Sequence, residues 1–161
     1  AAVAERAARA GSQVVLDALG GKASEVRQKG ALDLVTETDE ASERAILEVL
    51  RQAYPSHAIL GEEGGVSGDA SSGVLWCVDP LDGTTNFAHR YGAFAVSVGV
   101  MRGPDPVAGC VVEFAGGPGT WVTRTYLGAP GRGATVNGAP IHVSGIDAVN
   151  RALLVTGFGY D

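Results

Sequence analysis

Apolar residues recur along the chain with two periods, first helical and then alternating. Residues 1 to about 19 place small apolar residues at helical spacing among arginines and stop at Gly20-Gly21, which predicts a first helix. A polar stretch through Lys29-Gly30 reads as a mobile loop. From Asp39 to about Gln52, Ala41, Ala45, Ile46, Val49 and Leu50 recur at helical spacing, and Pro55 ends this second helix. The pattern then changes. Ala58-Ile59-Leu60 and Val74–Val78 are apolar runs of buried-strand length, and Phe94, Val96, Val98 and Val100 alternate with small residues. Val107–Phe114, Thr120–Thr125, and Thr135–Val136 with Ile141–Val143 are separated by glycine or proline, which predicts an antiparallel meander. Leu153–Thr156 predicts a last strand. Helices first and hairpins afterwards imply an α+β fold, with helices packed on one mostly antiparallel sheet.

Composition narrows the function more than the fold. The 161 residues fit one domain, and a hydrophobic share of 45% can fill one core. The 24 glycines follow no three-residue period, which excludes collagen, and the apolar share excludes intrinsic disorder. No stretch approaches the ~20 apolar residues of a membrane span. The net charge of −6 argues against nucleic acid, and it would repel an anionic small substrate unless metal ions reversed the local sign. Cys77 and Cys110 are too few for a disulfide framework and read as small buried apolar groups in a reducing compartment. Met101 is the only methionine and the chain stops just after an apolar run, so both ends read as cuts.

The chemistry concentrates in Asp79-Pro80-Leu81-Asp82-Gly83-Thr84-Thr85-Asn86, directly after an apolar run. Pro80 pushes Asp79 toward extended geometry, and Asp82-Gly83 makes a turn in which glycine tolerates positive φ. Two carboxylates three residues apart, folded back by a turn with the Leu81 carbonyl between them, offer an oxygen-rich site for a hard cation such as Mg²⁺. Thr84 and Thr85 add hydroxyls and free N–H groups, as at a helix start that cradles phosphate. The competing reading is a solvated Asx turn. Gly61-Glu62-Glu63-Gly64-Gly65 can deliver a carboxylate to a shared metal, or is only an acidic surface loop. Asp39, in Asp33–Asp39, is an N-cap or a further carboxylate of the same site. Glu37, Asp39, Glu62, Glu63, Asp79 and Asp82 are six of the 18 acidic side chains. If the fold gathers them, their repulsion is costly without cations.

These three motifs, with the third taken as Trp76–Phe87, resemble the successive signatures of the inositol monophosphatase family. Gly61–Gly65, Phe87-Ala88-His89, Val112-Glu113-Phe114 and Thr156–Asp161 are most similar to its plant plastid branch. The resemblance implies a Mg²⁺-dependent, lithium-inhibited, usually dimeric phosphatase with a layered α/β/α/β/α fold. Residues 1–161 would be its N-terminal metal- and phosphate-binding domain, without the C-terminal domain. Its location would be the chloroplast, with the cytoplasm as alternative. It implies that Glu62, Asp79 and the Leu81 carbonyl hold one metal, and that Asp79 and Asp82 share a second. Asp39, Thr84 and Glu62 form the catalytic set, Asp39 and Thr84 activating a water. Leu81, Asp82, Gly83, Thr84 and Thr85 line the substrate phosphate, and Lys29 sits near the basic residue of the family's mobile loop. The family completes its second metal site with a Trp-Asp motif. Here Trp76 precedes Cys77 and Trp121 precedes Val122.

The substrate implied is a small phosphorylated polyol, inositol monophosphate first. Galactose 1-phosphate, histidinol phosphate, fructose 1,6-bisphosphate and nucleotide bisphosphates are the alternatives among relatives. An aspartyl-phosphate phosphatase spaces its two aspartates by two residues, against three here. An EF-hand needs glutamate where Arg90 stands. A non-catalytic or partner-completed subunit is the reading from another class. Partners are then a second copy, or association through the apolar C-terminal side.

Overall fold

Helix α1 (Ala2–Gly20) turns Ala4, Ala7, Ala8, Val15 and Leu19 inward, and helix α2 (Glu37–Ala53) turns in Thr38, Asp39, Ser42, Ile46 and Leu50. Both stripes have the helical period; on α2, Ile46 and Leu50 are buried as expected, whereas Ala41, Ala45 and Val49 are half-buried. The computed structural model describes residues 1–20, 26–29, 33–62 and 64–155, with 26–29 and 33–36 described by backbone alone. No helix among them is long and apolar enough to cross a membrane.

The two helices pack against each other and against one face of an eight-stranded sheet, α1 over its middle and α2 over the strand that carries the aspartates. Its strands are β3 (Ala58–Gly61), β4 (Gly65–Ser67), β5 (Val74–Asp82), β6 (Phe94–Arg102), β7 (Asp105–Ala115), β8 (Val122–Ala129), β9 (Gly133–Val136) and β10 (Ala139–Ile141). Their order is β10-β9-β8-β7-β6-β5-β3-β4. From β5 to β10 every neighbour is antiparallel, the expected meander. The pairing of β3 with β5 is parallel, with Leu60 opposite Cys77. The fold is therefore α+β with helices on a mostly antiparallel sheet, as the order of patterns implies.

The core lies between helices and sheet, built on alternate strand residues: Trp76 and Val78, then Phe94, Val96, Val98 and Val100, then Cys110, Val112 and Phe114. At its lower end Phe94 stacks on Phe114 at 5.0 Å and meets Phe87 and Trp121 edge-on at 5.5 and 5.3 Å. Burial pushes the Cys110 thiol up to about 11, the behaviour of an inert apolar group. Cys77 departs from its expected burial. It faces the other side of the sheet and is half-exposed. Among the described residues no helix covers that side, which holds an apolar depression of about 500 Å³ over β6–β9.

Other sequence expectations are corrected as well. Helix α2 begins at Glu37, so Asp39 lies in its first turn and is not the N-cap. The expected loop before it contains strand β1 (Val26–Lys29), which pairs antiparallel with β2 (Asp33–Thr36), Lys29 opposite Asp33. The Lys29 side chain lies outside the described residues. Strand β4 was unforeseen, because three residues are too few to show alternation. Leu153–Val155 form no strand and are exposed, because no strand among the described residues lies beside them to take their hydrogen bonds. Thr156–Asp161 lie outside the described residues.

Phe94 is the centre of the ring cluster and 2% exposed. Phe94→Ala is expected to destabilise the chain by about 3–5 kcal/mol, measured as a lowered urea midpoint with unchanged slope.

Candidate functional site

The aspartate motif does not follow a strand; it is the end of one. Strand β5 runs through Asp82, and between the pairs Asp79–Ser97 and Asp82–Ala95 its Pro80 and Leu81 stand opposite Val96 alone. This is a β-bulge. In a regular strand residues three apart face opposite sides, so the extra residue is what returns Asp79 and Asp82 to the same side. Pro80 and Leu81 are both buried toward the helices, while Asp79 is half-exposed and Asp82 exposed on the open side.

A bulge removes backbone groups from the ladder, and buried ones need other partners. Proline has no N–H to lose. Its carbonyl accepts from Ser42 Oγ on α2 at 2.8 Å. The Leu81 N–H donates to Asp79 Oδ1 at 3.2 Å, and the Leu81 carbonyl accepts from Thr84 Oγ1 at 2.9 Å. Each polar group of the bulge is thus held by a side chain. Gly83 then turns the chain at φ +81°, where an added Cβ would crowd the Ala93 carbonyl at 3.0 Å, and starts the short helix α3 (Thr84–Ala88). Its first residues Thr84 and Thr85 sit beside the bulge.

Parallel pairing brings in the second motif. Continuing the Leu60–Cys77 register by two residues sets Glu62 beside Asp79, and both line a cleft of about 480 Å³ whose floor is Cys77, Ser97 and Gly99. Burial first, then the carboxylates of Glu62 and Asp82, push the Asp79 carboxyl up to about 6, against the lowering effect of the Leu81 N–H. Asp39 is 2% exposed on the inner face of α2, one turn before the Ser42 that reaches Pro80. There the positive end of the helix favours a carboxylate.

Of the six acids, Glu62, Asp79 and Asp82 share the open side, Asp39 lies on the helix side, and Glu37 is exposed at the start of α2. Glu63 lies outside the described residues. Among the described residues no three His, Cys, Asp or Glu side chains form a ready-made metal cage. The donors nonetheless fit a hard divalent cation in kind. They are all oxygen, and Asp79 is raised by burial first and then by the Glu62 and Asp82 carboxylates, whose repulsion a cation would relieve. Ser42 was missed in the sequence. The available signal was a polar residue on the buried stripe of an amphipathic helix.

The sequence profile of the Inositol monophosphatase family matches residues 1–161. The chain is 58% identical over 159 residues to the chloroplastic phosphatase IMPL1 of Arabidopsis thaliana, covering 99% of this chain and 43% of that protein. It is 42% identical over 144 residues to the inositol-1-monophosphatase of Synechocystis, covering 89% of this chain and 48% of the other. The solved structure of inositol monophosphatase from Anabaena superposes with a TM-score of 0.72 at 38% identity, covering 89% of this chain and 49% of that one. The chain spans about half the length of the relatives it matches.

The raised Asp79 has a definite sign for stability. Between its ordinary 3.8 and about 6 the folded chain holds a proton that the unfolded chain has lost, so stability falls as pH rises through that window. Asn keeps the oxygen that accepts from Leu81 and cannot ionise. In EDTA, the stability of Asp79→Asn relative to wild type is expected to grow from pH 4 to 6 and to level off above pH 7, as read by urea melts. A gap independent of pH would show that the carboxyl is not strained.

Proposed function

The chain belongs to the inositol monophosphatase family, and on that premise we propose that it carries the metal and phosphate grip of a Mg²⁺-dependent phosphomonoesterase. The substrate class is a small phosphorylated polyol, with inositol monophosphate first. The observation that carries this reading is the bulge, which turns Asp79 and Asp82 to the side that Glu62 occupies. Glu62, Asp79 and the Leu81 carbonyl are the donors for one Mg²⁺, and Asp79 and Asp82 for another. Bound there, Mg²⁺ would polarise a phosphoryl oxygen and make water a better nucleophile near neutral pH.

The chain's own groups do the rest. Gly83, Thr84 and Thr85 receive the phosphate through backbone N–H groups and hydroxyls at the turn into α3. Thr84 is the proton-handling hydroxyl, with Asp39 as its partner on the helix side. In the described state that hydroxyl donates to the Leu81 carbonyl, so catalysis requires it to turn from Leu81 toward the water. The −6 charge of the chain disfavours a phosphate ester in the absence of cations, which makes metal binding a precondition of substrate binding.

The likeness to the chloroplastic relative supports a chloroplast location. We further propose lithium sensitivity, and that residues 1–161 act as an N-terminal domain whose open sheet face takes a further layer, from a longer chain or from a second copy. A second reading is a non-catalytic or partner-completed subunit, since neither Trp76 nor Trp121 is followed by the aspartate with which the family completes its second metal site. Phosphate release by the purified protein, with and without Mg²⁺, separates the two.

Asp79→Asn and Asp82→Asn are each expected to abolish Mg²⁺-dependent phosphate release, because each removes a charged ligand. Activity within about twofold of wild type in either variant, well short of the loss expected for a removed ligand, would sink the two-metal assignment. Thr84→Ala is expected to lower kcat roughly 10²–10⁴-fold while calorimetric Mg²⁺ affinity is retained. A parallel loss of both would make Thr84 a structural cap of Leu81 only.

A further inference from the structure

Helix α2 carries two adjacent polar side chains that reach two different strand ends. Ser42 holds the Pro80 carbonyl of β5. Glu43 reaches β3: Gly61 is buried there, and a Cβ built on it would overlap the Glu43 carboxylate. Both ladders of β3 stop at this point, the one to β5 at Leu60 and the one to β4 at Gly61. The next residue is Glu62. Alternation along the strand puts Gly61 on the helix side and Glu62 toward the cleft it shares with Asp79.

We propose that Glu43 is a positioning residue, which backs the end of β3 from the helix side and so sets where Glu62 stands relative to Asp79. The pairings of β3 with β4 and β5 end at Gly61 and Leu60, and the Glu43 carboxylate lies directly behind Gly61. Ser42 fixes β5 from the same turn of the same helix, and the two carboxylate-bearing strand ends are thereby referred to one rigid element. Glycine is needed at position 61 because the carboxylate fills the space of its side chain. The obstructing atom is the end of a flexible side chain, so Gly61→Ala displaces that carboxylate and leaves the backbone in place. The consequence for Mg²⁺ rests on the functional reading above; the positioning itself does not.

The test uses this chain as wild type, Glu43→Ala, Glu43→Gln and Gly61→Ala. Hydrogen–deuterium exchange is measured without metal, and Mg²⁺ binding by calorimetry. Exchange across residues 60–64 is expected to rise in Glu43→Ala and Gly61→Ala, with residues 96–100 of β6 unchanged. Mg²⁺ affinity is expected to fall roughly 10–100-fold in both, the usual effect of losing a group that orients a ligand. Glu43→Gln, of equal length, is expected to restore most of it. In a Glu62→Ala background Glu43→Ala should change the affinity no further, since the two residues act through one ligand. Unchanged exchange at 60–64 overturns the proposal, and so does a further loss of affinity in the Glu62→Ala background. If exchange responds but wild type takes up no Mg²⁺, the metal reading fails and the positioning role stands. Should Glu43→Ala not fold, Gly61→Ala carries both readouts.

Discussion

The site depends on a buried proline carbonyl that has no strand partner. The bulge at Pro80-Leu81 is what places two aspartates on one side of β5, and a bulge in a buried strand survives only if its orphaned groups are satisfied. Ser42 supplies the partner for Pro80, at 2.8 Å and with its own side fully buried. Proline at this position leaves one donor fewer to satisfy. Asp79 and Thr84 close the account at Leu81. Both residues therefore have a structural duty in addition to the chemical one proposed for them. The Leu81 carbonyl has two lone pairs, one taken by Thr84, which leaves one for a cation.

The sheet divides the molecule by chemistry. One face meets α1 and α2 through alternating valines and phenylalanines, and it holds the core. The other face carries the carboxylates at one end and small residues across its middle, where Cys77, Gly99, Gly109 and Gly128 stand opposite one another on four successive strands. Residues without bulk leave the cleft open beside Asp79.

Electrostatics and packing pull in opposite directions at the end of β5. Burial raises Asp79 to about 6, and Glu62 and Asp82 add to the cost of charging it. A fold optimised for its own stability would not gather these groups. The cation proposed for this site would remove that repulsion.

Helical and alternating periods were legible in the chain itself, and so were the aspartate turn, its glycine and the threonines that follow, because each is a local property of consecutive residues. The α+β class followed from their order. What lay beyond the sequence is non-local. The motif from Asp79 to Asp82 reads as a turn after a strand, since a bulge is defined only by the shorter count on β6 across from it. That Glu62 stands beside Asp79 depends on the parallel pairing of β3 with β5, a contact between residues seventeen apart with no local signature. Leu153–Val155 has the composition of a strand and has no strand partner among the described residues, because hydrophobic pattern specifies a face and only a neighbour makes a strand. Ser42 and Glu43 look like ordinary polar residues of an amphipathic helix. Their roles arise when α2 crosses the ends of β3 and β5, and a side chain acquires its partner only when packing brings that partner within a few ångströms.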